Sequence, residues 1–249
     1  NVFSTPNATS NQLTNNFGFG CSIIPLVLSG LRTICAKLGG TNETSSYNFA
    51  LSGASLRLDI YQSATEYSYL STSVVPFSDN QLFYARVSRN STTGEIKFFT
   101  SGDGVTYTQL GTTISGITGA LNNPSDNCEI GGSIGAFPFS GVINNAQIFK
   151  DDTFTTATQN FNPALFNRAT SQTTVTAATG EVWTLNTPAT NNALKATFVD
   201  TTMIMGNGTA YGLRAATLNI TQSAITNYTI FKKYVNTAGA QIVTELGAS

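Results

Sequence analysis

Short runs rich in Val, Ile, Phe, Tyr and Thr recur about every 8 to 15 residues along this chain, separated by Gly, Asn, Asp and Ser. No stretch holds an apolar repeat of about 3.6 residues long enough for an amphipathic helix. That rhythm predicts an all-β fold. The clearest strands are Phe17–Val27, Thr33–Leu38, Tyr47–Leu51, Ser55–Tyr61, Gln81–Ser88, Glu95–Thr100, Asn127–Ile130 and Ser140–Phe149. In Ser55–Tyr61 the residues Leu56, Leu58 and Ile60 alternate with Arg57, Asp59 and Tyr61, the pattern of an antiparallel strand with one solvated face.

At 249 residues the chain accommodates one large β domain, or one standard domain and part of another. Charged residues are only 10% of it, against roughly 25% in an average soluble domain. Thr, Ser, Asn and Gly take the surface positions instead, which fits an extracellular β protein better than a cytosolic α/β enzyme. Net charge is −1 and no basic cluster exceeds Lys232-Lys233, so nucleic acid is not an expected partner. The most apolar window, Cys21–Leu28, is far short of the roughly 20 residues of a spanning helix and contains Pro25, so no membrane span is expected. The opening Asn-Val-Phe-Ser-Thr has neither a basic start nor an apolar signal core, and reads as a processed product or an excerpt of something longer. Three cysteines, Cys21, Cys35 and Cys128, cannot all pair within one chain. They read as small buried hydrophobes, with a Cys21–Cys35 bridge as the alternative.

Turns carry the topology. Asn90 to Gly94 is a polar loop ending in Gly, and Asp103-Gly104 is a tight-hairpin pair in which Gly104 is expected to take a positive φ. Three strands in series, around Phe83–Val87, Ile96–Phe99 and Val105–Leu110, are therefore expected to form a meander.

The stretch LFYARVSRNSTTGEIKFFTSGDGVTYTQLG, residues 82–111, resembles the concanavalin A-like or laminin-G pattern: an aromatic-led strand, a Gly-ended turn, a second strand and a DG-x-x-Tyr hairpin. CEIGGSIGAFPFSGVINNAQIFKD, residues 128–151, is similar to that family's closing signature, in the family's order and spacing. The resemblance implies an antiparallel two-sheet jelly-roll sandwich over residues 1–151. A weak echo of Asn16–Phe19 at Asn227–Ile230, and of Ile34–Gly39 at Ile242–Gly247, suggests a repeat. The expected organisation is thus a sandwich over 1–151, a Thr/Ala/Asn-rich linker over 152–177, and the opening strands of a second, incomplete unit over 178–249. Laminin-G-like units flanking such a tract look like those of bacteriophage tail-fibre, spike and head-fibre proteins, and related modules occur in secreted bacterial adhesins and lectins. The resemblance therefore implies a virion or cell-surface setting, partners among virion proteins or other copies of the chain in a homo-oligomer, and glycan attachment.

The chain has no histidine, which removes Ser-His-Asp and Cys-His catalysis and His-ligated metal sites. Glucanases on this fold carry Glu-x-Asp-x-x-Glu on one strand. Here Glu43, Glu66, Glu95, Glu129, Glu181 and Glu245 each lack an acidic residue two positions away, and a non-enzyme is expected. Members of the resembled family often bind calcium on a rim loop; Asp59, Asp79, Asp103 and Asp126 are the candidates, scattered singly. Carbohydrate binding on this fold uses stacked rings, amides and carboxylates, for which the candidates are Tyr61, Tyr67, Tyr69, Asn80, Asp103 and Tyr107. Trp183, the only tryptophan, reads as core rather than platform.

Overall fold

A computed structural model describes residues 2–133, 137–166, 173–186, 229–235 and 241–248. The chain divides into two units, Asn1–Thr197 and Phe198–Ser249. Among the described residues the first carries β1 (Val2–Thr5), β2 (Phe17–Pro25), β3 (Leu31–Lys37), β4 (Tyr47–Ser52), β5 (Ser55–Gln62), β6 (Thr65–Leu70), β7 (Phe83–Arg89), β8 (Glu95–Ser101), β9 (Thr108–Gln109), β10 (Ile114–Ser115), β11 (Cys128–Ile130), β12 (Gly141–Phe149), β13 (Ala157–Phe161), β14 (Thr174–Thr176) and β15 (Val182–Asn186). One sheet runs β14-β15-β1-β11-β3-β4-β5-β6; the other runs β10-β8-β7-β2-β12-β13, with β9 also on β8. Their strand pairings are antiparallel throughout.

Alternation decides which residues lie between the sheets. Phe17, Phe19 and Ile23 of β2, with Phe83 and Val87 of β7, meet Phe49, Leu51, Leu58 and Ile60 of β4 and β5, all essentially inaccessible to water. Phe19 stacks on Phe49 across the core at 5.9 Å between ring centroids. Such a ring holds the two sheets together, and removing one costs about 3–5 kcal/mol. Arg89, fully buried at the end of β7, donates from Nη2 to the carbonyls of Ile117 and Gly119 at 3.1 and 2.7 Å, and from Nη1 to that of Asn15 at 3.4 Å. A guanidinium thus satisfies loop carbonyls where no strand reaches. Its burial pulls the pKa down from the usual arginine value.

The expected strands are found, and the meander is β7-β8-β9, its last member cut to two residues with β10 continuing along the same edge of β8. Gly104 has φ +76°, as expected of its turn. Trp183 is buried at 1% exposure and meets Phe161 edge-on at 5.2 Å. All three cysteines are free and buried. Cys21 lies on β2 and Cys35 on β3, in different sheets, while Cys35 and Cys128 lie 3.8 Å apart between their sulfurs.

The expected boundaries need correction. Residues 152–177 do not form a linker: β13 pairs with β12, and β14 with β15. Nor does the second unit begin at 178, because β15 pairs with β1, aligning Phe3 with Leu185. The misreading has a physical source: β13 and β14 are short, with only Gln159 and Phe161 deeply buried, too few apolar positions for alternation to register, while the pairing of β15 with β1 spans about 180 residues, which no local pattern encodes. The hairpin echo also fails. Phe17–Leu38 is not an antiparallel pair but a crossover, β2 joining β7 and β12 while β3 joins β4 and β11. In the second unit, by contrast, β16 (Thr229–Val235) and β17 (Gln241–Ala248) do pair with one another. The rest of the expected second sandwich, residues 187–228, lies outside the described residues.

Candidate functional site

β2 turns Phe17, Phe19, Cys21 and Ile23 toward the core, leaving Gly18, Gly20 and Ser22 on the opposite face. The register builds rows across that outer face: Asn145, Ser22, Tyr84 and Ser101 in one, Gln147, Gly20, Arg86 and Phe99 in the next, Phe149, Gly18, Ser88 and Lys97 in the third. Two glycines in the middle strand make the floor of a trough. Over Gly18 the trough is filled by Phe154: a Cβ on Gly18 would lie 2.6 Å from its ring. Phe154 has φ +60° and meets Phe149 and Phe99 edge-on at 5.4 and 6.0 Å. Toward the Asp103-Gly104 hairpin the trough stays open as a cleft of about 270 Å³, lined by Cys21, Ser22, Tyr84, Arg86, Gly104, Tyr107, Asn145 and Gln147.

Arg86 is held between aromatic rings, its Cζ 3.8 Å from the centroid of Tyr107 and 4.9 Å from that of Phe154. Desolvation raises the Tyr107 phenol pKa, against the pull of the nearby guanidinium, so the hydroxyl is neutral at ordinary pH. Burial also pushes the Cys21 thiol up to about 12, so it is not a nucleophile near neutrality. Asn145 donates to Asn160 Oδ1 at 2.6 Å and to the Phe161 carbonyl at 3.2 Å, which fixes its amide. Among the described residues the side chains of Ser22, Tyr84 and Gln147 have no hydrogen-bond partner. The cleft thus offers hydroxyl and amide groups, a ring and a cation, with no carboxylate among the described residues that line it.

Of the sequence-predicted sugar contacts, only Tyr107 lines this cleft. Tyr61, Tyr67 and Tyr69 do not form a cluster: Tyr67 and Tyr69 pair with Ile60 and Leu58 and so face inward, while Tyr61 is on the other face of the same sheet. The Tyr69 hydroxyl accepts from the backbone N–H of Ile117 at 3.0 Å, a packing role. Tyr61 is buried against Glu66, Asp59 and Arg57, and burial raises its phenol pKa. Asn80 is exposed in a loop with φ +60°, tied by its N–H to the Pro25 carbonyl. Asp103 is a turn residue, its Oδ1 accepting from the N–H groups of Val105 and Thr106 at 2.8 Å and from Ser101 Oγ at 2.7 Å. Those bonds lower its pKa to about 2.

The calcium candidates do not converge, and among the described residues no three His, Cys, Asp or Glu side chains form a metal-holding group. Asp59, buried, accepts from Arg57 Nε, Ser68 Oγ and Asn48 Nδ2; Asp79 accepts from the Leu28 N–H at 2.7 Å; Asp103 caps its turn; and Asp126 lies near Lys37. Among the described residues no helix is long and apolar enough to cross a membrane. The residues that sequence reasoning missed, Tyr84, Arg86, Asn145 and Gln147, were visible as the polar members of alternating strands. What brings them together is strand order in the sheet.

No protein-family model matches the sequence, and no curated protein is significantly similar to it. Solved structures are similar in fold. A candidate carbohydrate-binding protein from Bacteroides ovatus superposes with a TM-score of 0.50 at 13% identity, over 74% of this chain and 55% of that one. The CBM40 of the Ruminococcus gnavus IT-sialidase, bound to α2,3-sialyllactose, matches at 0.43 and 15% identity, over 60% of this chain and 87% of that one. Domains LG4-5 of the mouse laminin α1 chain match at 0.44 and 11%, over 65% and 43%. Its two antiparallel sheets make the first unit a β-sandwich, a fold it shares with the Bacteroides ovatus protein.

Proposed function

We propose that the first unit is a non-catalytic glycan-binding module of a virion or cell-surface protein, and that the cleft on the seven-stranded sheet is its saccharide site. One observation carries this reading: Ser22, Tyr84 and Gln147 bring unpartnered polar groups to a glycine-floored cleft beside the Tyr107 ring and the Arg86 guanidinium. A sugar needs that combination, hydrogen-bonding groups for its hydroxyls and an aromatic surface for its C–H face. The Bacteroides ovatus protein of the same fold is itself a candidate carbohydrate-binding protein, which agrees with the reading.

The test is a glycan array probed with the full chain, followed by calorimetry on any saccharide retained. Tyr107→Ala and Gln147→Ala are expected to weaken binding at least about tenfold, the loss of one or two good contacts, while Tyr61→Phe leaves it unchanged. A saccharide that binds equally well to the cleft variants overturns the assignment of the site; retention of none overturns the glycan reading. As to setting, a virion fibre, spike or head-fibre protein is expected to be a symmetric homo-oligomer by mass in solution, and a monomer favours a secreted bacterial adhesin or lectin.

A further inference from the structure

We propose that the saccharide held on this face carries an anionic group, a carboxylate or a sulfate, and that Arg86 is the residue that receives it. The inference rests on the glycan reading above and adds the ligand's charge. Among the described residues, Arg86 is the only charged one lining the cleft. Ion pairs among the described residues involve Arg57 and Lys97 instead. The two acids next to Phe154 in the chain are engaged elsewhere: Asp151 Oδ1 accepts from the N–H groups of Thr153 and Thr155, and Asp152 accepts from the side chains of Asn16 and Asn90.

The comparison with Arg57 and Arg89 makes the point. Arg57 is paired with Asp59 and Glu66, and Arg89 is satisfied by loop carbonyls. Arg86 is positioned as firmly as either, between Tyr107 and Phe154, and its Nε, like that of Arg89, is buried without a partner; unlike the other two, no oxygen of a carboxylate or carbonyl accepts from it among the described residues. Stacking uses the face of the guanidinium and leaves its N–H donors pointing in the plane. A fixed planar fork whose donors, beside the Tyr107 hydroxyl, meet no carboxylate or carbonyl among the described residues is the arrangement that receives a carboxylate or sulfate with two parallel hydrogen bonds. Holding a half-buried cation without a counter-charge is unfavourable in the free protein, and an anionic ligand removes that penalty on binding. A neutral sugar does not.

The experiment uses the full chain on an array of oligosaccharides with matched backbones, in neutral, carboxylate-bearing and sulfated forms, with affinities then measured at low and high salt. The expected result is that one acidic form binds at least about tenfold more tightly than its neutral counterpart, with the advantage shrinking as salt screens the pair. Which acidic arm prevails identifies the group. Arg86→Gln is expected to abolish the preference and Arg86→Lys, which keeps the charge but not the fork, to retain part of it. Lys97→Gln, on the same face but paired with Glu95, is expected to change nothing. Should Arg86→Gln fail to fold by circular dichroism, the salt dependence and Arg86→Lys still decide. Equal binding of neutral and acidic forms, or a preference that survives Arg86→Gln, overturns this inference and leaves the glycan reading standing; no binding to any arm overturns the glycan reading itself.

Discussion

Gly104 connects turn chemistry to the cleft. Its φ of +76° is one that L side chains rarely adopt, and a Cβ there would lie 2.7 Å from the Tyr84 ring. Gly104→Val is therefore expected to cost about 1–3 kcal/mol of stability and to narrow the cleft, read as a lower unfolding midpoint together with weaker ligand binding; coincident midpoints would contradict the turn. Its neighbour Asp103 gives a pH test. The folded-state pKa is about 2, below the usual 3.8, so its contribution is present above the unfolded value and is lost as pH falls toward about 2. The difference in midpoint between the parent and Asp103→Asn is expected to be constant above about pH 5 and to vanish near pH 2; a difference that persists in acid means the carboxylate charge does not hold the turn. The cysteines give a third measurement. With all three free and no more than 4% exposed, the native chain is expected to show almost no thiol reactive toward a disulfide reagent, and the denatured chain all three. A single thiol after denaturation would restore a bridge.

At the level of strands, alternation predicts where each long element lies but is silent on the short ones. β2, β7 and β12 were legible because bulky apolar residues alternate with small or polar ones for seven to nine residues. β13 and β14 were not, since three to five residues with few apolar positions carry too little pattern, and for β15, alternation says nothing of which strand it pairs with. Their place is secured by packing: Phe3 of β1 meets Phe161 and Phe166 at 4.8 and 5.3 Å, and Phe161 in turn meets Trp183. Phe3→Ala is expected to destabilise the first unit by about 3–5 kcal/mol. Because Trp183 is the only tryptophan, its emission reports this unit alone, and the loss is read as an earlier red shift on heating or in denaturant. An unchanged midpoint would mean that β1 and β15 do not share a core.

For the whole molecule, the discriminating question is where the first unit ends. A closing signature that stops at Phe149 suggests a complete sandwich by residue 151, whereas the pairing of β15 with β1 carries the unit on to about Thr197. A chain cut after Thr197 is expected to unfold cooperatively and to remain soluble. A chain cut after Asp151 lacks β13 to β15, leaves β1 and β12 as bare edges over an exposed Phe3, and is expected to aggregate. Circular dichroism and size-exclusion chromatography on the two chains check this, and equal behaviour would return the boundary to 151.

Local sequence determines class, strand positions, turn conformations and which side chains point inward, because these depend on periods of two residues and on the φ preferences of glycine. It also shows, through the missing histidines, what chemistry the chain lacks. Only the tertiary structure decides which strands become neighbours, since that depends on crossovers such as the one from β2 to β3, which no local pattern encodes. The cleft follows from that decision. Tyr84 and Arg86 of β7, Gln147 of β12 and Tyr107 of the loop after β8 come from three separate stretches of chain and meet only because β7 and β12 flank β2, whereas Tyr61, Tyr67 and Tyr69, close together in sequence, are divided between the two faces of one sheet.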